Sequence, residues 1–115
     1  MTIVCKIESD IYTLLGIYGP HDDSPSFYRD LDEMLDGFPH DNIIIGGDFN
    51  FVNDRTLDSN YMHENNTQTK KIFMDATHKY ELIDAWRHQH PDIKEYTWLR
   101  RSPIKYGRID MFFFL

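Results

Sequence analysis

The sequence predicts an α/β sandwich, with mixed sheets flanked by helices, and three observations carry that expectation. Ile43, Ile44 and Ile45 form a continuous β-branched run, as in a strand covered on both faces. Phe27, Leu31, Met34, Leu35 and Phe38 recur at helical spacing, as in an amphipathic helix packed on a sheet. The elements follow the order β-β-α-β-α-β-β, which is neither a strict βαβ repeat nor all-β.

Residues 2–7 and 11–18 are β-rich runs separated by Glu8, Ser9 and Asp10, which reads as a hairpin with a polar turn. Gly19 and Pro20 stop the second strand, and His21, Asp22 and Asp23 open a loop. Ser24 before Pro25 has the pattern of a helix N-cap followed by proline in the first turn, and Gly37 with Pro39 ends that helix. A strand is expected within residues 42–52 and a polar loop over 54–65. Asn66 is the expected cap of a second helix reaching Tyr80, with Ile72, Phe73, Ala76 and Tyr80 on its inner stripe. A short apolar patch of Leu82, Ile83, Ala85 and Trp86 follows. Residues 95–99 and 108–115 read as two further strands joined by a loop containing Ser102-Pro103 and Tyr106-Gly107.

The chain has 115 residues, enough for one domain or part of one, and its 41% hydrophobic and 15% aromatic content demands a core. One cysteine, Cys5, cannot form an internal disulfide, no zinc-type Cys/His spacing is present, and no apolar run reaches the length of a membrane span. An intracellular protein is therefore expected. The net charge of −7 argues against a surface that clings to nucleic acid all round. From Lys94 onward, however, Lys94, Arg100, Arg101, Lys105 and Arg108 outnumber Glu95 and Asp110. That tract fits a polyanion handled beside a metal, and equally a solvated loop.

The strongest local motif is Gly46-Gly47-Asp48-Phe49-Asn50. Alternate residues of an extended chain share a face, so Asp48 and Asn50 are expected to point the same way from the strand end. A carboxylate there can hold a hard cation or polarise water, and an amide can orient a nucleophile or a phosphate oxygen. Alone, the pentapeptide reads equally as a strand-to-loop turn. Tyr18 at the end of one strand and Asp110 at the start of another extend it: the four side chains are expected to meet at one sheet edge.

The ordered motifs Tyr18-Gly19-Pro20, Gly47-Asp48-Phe49-Asn50, Tyr96-Thr97-Trp98 and Arg108-Ile109-Asp110 resemble the endonuclease/exonuclease/phosphatase superfamily. The tract from Leu82-Ile83-Asp84-Ala85-Trp86-Arg87 through His90-Pro91 is similar to its retrotransposon (LINE-type, non-LTR) endonuclease branch. The resemblance implies an incomplete α/β sandwich of the deoxyribonuclease I-like type, residues 1–115 being the C-terminal part of a domain truncated at both ends. It implies magnesium, or manganese, as cofactor and DNA as partner, with no membrane and no obligate protein partner. The implied activity is phosphodiester hydrolysis, in the parent domain a DNA-nicking endonuclease, nuclear if functional. Tyr18 would bind the scissile phosphate. Asp48 would activate water or hold metal, Asn50 would position water or phosphate, and Asp110 would orient a catalytic histidine. Thr97, Trp98 and Arg108 are candidate substrate contacts, with strand packing an equal reading of Thr97 and Trp98.

The family's early Asn, its metal-binding Glu and its terminal catalytic histidine have no counterpart here, so the chain is expected to be inactive or nearly so. His21, His40, His63 and His78 read as solvated surface, and His88-Gln89-His90 as a loop end. Phe112, Phe113 and Phe114 form an aggregation-prone run if uncovered. A phosphatase or exonuclease of the same fold, and a non-catalytic relic, are the alternatives.

Overall fold

The structure is a computed structural model that describes residues 1–38, 42–61 and 66–114. The expectations at Pro39, His40, His63 and Leu115 lie outside the described residues. Two sheets form. The larger has strands β1 (Thr2–Ile7), β2 (Asp10–Tyr18), β3 (Ile43–Asp48), β4 (Ile83–Asp84) and β7 (Asp110–Phe114), in the order β1-β2-β3-β7-β4. β2 and β3 are parallel, and the other pairs are antiparallel. The smaller sheet is the hairpin of β5 (Trp98–Arg101) and β6 (Ile104–Gly107). The helices are α1 (Pro25–Asp36), α2 (Arg55–Asp58), α3 (Thr67–Tyr80) and α4 (Ala85–Gln89). This mixed α/β architecture is the one expected from the sequence.

Strand alternation decides where the core sits. Leu15, Ile43, Ile45, Met111 and Phe113 point to one face and are buried against Tyr28, Leu31 and Leu35 of α1 and Phe73 of α3. Tyr28, Phe49, Phe51, Phe73 and Phe113 form one aromatic cluster with ring centroids 5.0–6.4 Å apart. Each such ring contributes ~1.5–3 kcal/mol through burial, so this cluster is the main source of cohesion. The opposite face is open: Ile44 is only partly buried and Phe112 is 63% exposed. The isoleucine run is therefore covered on one face, not on both. Of the phenylalanine run, Phe113 is core and Phe112 faces outward.

Several local expectations change. Ser24 makes no side-chain cap bond, although Pro25 does begin α1. Met34 is exposed, and the unforeseen Tyr28 takes a core position. Asn66 stands at the expected N-cap position of α3, but in a left-handed conformation and with no side-chain cap bond. Asp23 supplies that bond instead, accepting from the Gln68 and Thr69 amides and the Thr69 hydroxyl at 3.2, 2.7 and 2.6 Å. The polar stretch read as loop contains α2, capped by Asp54 through the amides of Thr56 and Leu57. The loop expected between the last two strands contains β6, which pairs with β5. Among the described residues, no helix is long and apolar enough to cross a membrane.

Candidate active site

The register of the larger sheet builds the site. Tyr18 of β2 is the Cα partner of Asp48 of β3, and Asp48 is the partner of Asp110 of β7. Three of the four expected residues thus stand side by side where their strands begin or end. Directly opposed residues share a face, and here it is the open one.

The turn after β3 is pinned from all sides. Phe49 is fully buried in the aromatic cluster, its amide donates to the Ile109 carbonyl at 2.8 Å, and its carbonyl accepts the Tyr28 hydroxyl at 3.2 Å. Burial, and then the charge of Asp48, raise the Tyr28 phenol above its ordinary range, so it stays a proton donor. The Gly19 amide donates to the Asp48 carbonyl at 2.6 Å, and the Asn50 side-chain amide donates to the Gly19 carbonyl at 2.5 Å. Gly47 has φ +143°, where a Cβ would collide with the Ile17 carbonyl. This position needs glycine for a physical reason.

Asp48 and Asn50 line the same cleft, but not by strand alternation. β3 ends at Asp48, and Asn50 lies in the left-handed region at φ 55°. Its amide N–H donates to Asp48 Oδ1 at 2.9 Å, so a tight turn closed on the carboxylate brings the pair together. One Asn50 Nδ2 hydrogen is bonded to Gly19, and its Oδ1 is the side-chain acceptor it can offer a cation. The cleft has a volume of about 440 Å³, and its lining includes Tyr18, His21, Asp48, Asn50, Trp98, Arg100 and Lys105. The β5–β6 hairpin thereby brings two cations and an indole beside the carboxylate, a suitable lining for a phosphate ester.

Asp110 is placed differently from expectation. Although in register with Asp48, it lines a neighbouring cleft with Trp86, Glu95, Tyr96 and Thr97. Thr97 Oγ1 accepts the amides of Ile109 and Asp110, both at 3.1 Å, which fixes the start of β7. That makes Thr97 a backbone clamp. Trp98, 37% exposed, does reach the first cleft.

Arg108 needs a larger correction. It is buried, not presented to a substrate: its guanidinium bonds Asp58 at 2.8 and 3.2 Å and Asp84 at 3.1 and 2.6 Å. Burial opposes its charge, but the bonds to Asp84 and Asp58 outweigh that and raise its proton affinity. Arg87 also pairs with Asp58, and both guanidinium groups sit over the Trp86 ring, 4.9 Å for Arg87 and 5.3 Å for Arg108. The Leu-Ile-Asp-Ala-Trp-Arg tract is therefore the scaffold joining α2, α4 and β7. Nothing local to Arg108 hints at this, because its partners Asp58 and Asp84 lie 50 and 24 residues away in the sequence.

His21 is exposed, as expected of a solvated loop residue, and it also lines the cleft. Its Nε2 is 2.9 Å from the Tyr18 hydroxyl, with the rings edge to face at 5.6 Å. The signal was its position three residues after the tyrosine, just past a Gly-Pro turn.

No family model matches the chain. Over 104 residues it is 27% identical to a Xenopus laevis protein described as a transposon TX1 uncharacterized 149 kDa protein; the match covers 86% of this chain and 8% of that protein. Among solved structures, it superposes on a 3'-5' exonuclease from Neisseria meningitidis with TM-score 0.72 and 18% identity, over 98% of this chain and 51% of that one. A 3' phosphatase from Neisseria, solved bound to a product DNA hairpin, gives TM-score 0.73 and 17% identity with the same coverage. The chain spans about half the length of these structures and a small part of the transposon protein. It has their deoxyribonuclease I-like α/β fold, and its likeness to a transposon protein agrees with the resemblance to the endonuclease/exonuclease/phosphatase superfamily that its motifs carry.

Proposed function

We propose that the cleft is the phosphate-and-metal site of a magnesium-dependent phosphodiesterase, in the parent domain a DNA-nicking endonuclease of a retrotransposon acting in the nucleus. The observation that carries this reading is the joint presence of Tyr18, Asp48 and Asn50 in one cleft with Arg100 and Lys105. The DNA hairpin held by the Neisseria phosphatase structure supports DNA as the partner.

Asp48 and Asn50 fit a hard cation, because they offer a carboxylate and an amide oxygen. Magnesium is commonly held through one or two carboxylates together with substrate phosphates. When bound it would neutralise phosphate charge and lower the pKa of a bound water. The chain's own groups do the rest. Tyr18 donates its hydroxyl proton to a phosphate oxygen, Arg100 and Lys105 balance the backbone charge, and Asp48 accepts a proton from water. Among the described residues, however, Asp48 is the one carboxylate lining this cleft, and no cluster of three His, Cys, Asp or Glu groups is present. The reading is therefore of a cleft that binds DNA but turns over little or not at all.

The tract from Leu82 to Trp98 favours the endonuclease reading over a phosphatase or exonuclease of the same fold. A relic that binds without chemistry is favoured by the single carboxylate. The test is duplex DNA binding and plasmid nicking by this chain, with and without magnesium. We expect salt-sensitive binding that magnesium strengthens and Asp48→Ala returns to the metal-free level, with nicking near background. Binding indifferent to magnesium and to Asp48→Ala would overturn the metal reading. Robust nicking abolished by Asp48→Ala would overturn the inactivity.

A further inference from the structure

The hydrogen bond between Tyr18 and His21 has two forms with opposite consequences for the cleft. If Nε2 is unprotonated, it accepts the tyrosine proton, and the phenolic oxygen offers only lone pairs to a ligand. If Nε2 carries hydrogen, it donates to the phenolic oxygen, and the tyrosine proton is free to turn toward a ligand. An anionic phosphate oxygen accepts hydrogen bonds and cannot donate one. A phosphate oxygen in the cleft therefore accepts from Tyr18 in the second form only.

The scaffold keeps the two rings in place for this. The chain leaving β2 is tied to the turn after β3 by the Gly19 amide on the Asp48 carbonyl and by Asn50 Nδ2 on the Gly19 carbonyl. Beyond His21, Asp23 is fastened to the start of α3 through Gln68 and Thr69. His21 therefore sits between two anchored points, and its ring is held edge to face against Tyr18. It lines the same cleft as Asp48, Asn50, Arg100 and Lys105.

We propose that His21 is the positioning partner of Tyr18: ligand phosphate selects the His21 tautomer with hydrogen on Nε2, which turns the tyrosine proton into the cleft toward a phosphodiester oxygen. The inference rests on reading the cleft as a phosphodiester site. A substituted side chain at position 21 serves only if it can donate at the reach of Nε2, which glutamine can and phenylalanine cannot.

The experiment follows the imidazole nitrogens of His21 by NMR in the intact chain, titrated with a short DNA duplex in magnesium-free buffer and, separately, with inorganic phosphate. Duplex affinity is measured in parallel for His21→Phe, His21→Gln and Tyr18→Phe. Both side chains are exposed, so these variants are expected to fold. We expect the duplex to drive His21 to the Nε2–H tautomer in the wild type and to leave it unmoved in Tyr18→Phe. His21→Phe should weaken binding about fivefold, below the full value of a charge-assisted hydrogen bond because the site is open to water, and His21→Gln should restore it. The same response to inorganic phosphate would assign the contact to the phosphate oxygens themselves. Duplex binding that shifts the Trp98 indole but leaves the His21 tautomer unchanged, with His21→Phe at wild-type affinity, would overturn this role and leave the proposed function standing. No duplex binding by the wild type, with or without magnesium, would overturn both.

Discussion

Replacing Arg108 by alanine probes a buried guanidinium that bridges two carboxylates. Its side chain is 4% exposed between Asp58 at 0% and Asp84 at 6%, and it makes four hydrogen bonds to their carboxylates. Removing one partner of a buried ion pair costs ~3–5 kcal/mol, because the remaining charge stays desolvated and unpaired. Here two carboxylates are left. Arg87 still bonds Asp58 and the Asn53 amide still bonds Asp84 at 3.0 Å, so part of the charge is answered and the middle of the range, about 4 kcal/mol, is expected. Against the roughly 5–15 kcal/mol of a typical domain, that is enough to leave the variant partly unfolded. The assay is urea denaturation followed by circular dichroism. Arg108→Lys should recover less than half of the loss, since an ammonium cannot serve both carboxylates as the guanidinium fork does. A cost below about 1 kcal/mol for Arg108→Ala, the range of an exposed ion pair, would refute the buried-scaffold reading and reopen Arg108 as a substrate contact.

Gly47→Ala should prevent stable folding, since it combines a φ that L-residues rarely adopt with a collision at the Ile17 carbonyl; thermal melting checks this, and a wild-type melt would contradict it. Phe49→Ala empties the centre of the aromatic cluster and should cost ~3–5 kcal/mol in the same urea assay. The hydrogen bonds from the Thr69 side chain and backbone hold the Asp23 carboxyl below its ordinary value of 3.8. Its contribution is therefore present above that value and lost as pH falls through the lower folded-state value. Asp23→Asn should flatten the acid limb of the stability curve, and an unchanged acid midpoint would count against the cap. Phe112→Lys replaces a 63% exposed ring on the open face and should raise the monomer fraction in gel filtration with little change in melting temperature.

The α/β class was legible because the Ile43–Ile45 run and the spacing in α1 are local patterns that burial enforces directly. The cleft was legible as a set of letters at strand ends, and the sheet register does place Tyr18, Asp48 and Asp110 side by side. The rest depended on partners far apart in the chain. Asp23 caps α3 from 45 and 46 residues away, so the local candidate Asn66 looked better than it is. Arg108 reads as one more cation of a basic tract until Asp58 and Asp84 are brought to it. Strand alternation placed Asn50 beside Asp48 for the wrong reason, since the chain leaves the extended conformation before Asn50. His21 is solvated as its loop position suggests, but a loop histidine has no pattern that reveals its partner; only the folded loop shows that it faces Tyr18.

Paramagnetic broadening by manganese in the presence of a DNA duplex tests the metal-and-phosphate cleft most directly. The account predicts that the backbone amide signals of Gly47, Asp48, Phe49 and Asn50, with that of Tyr18, broaden first, and that excess magnesium or Asp48→Ala reverses the effect. Broadening centred instead on the exposed acidic residues of α1, or spread evenly over the surface, would contradict it.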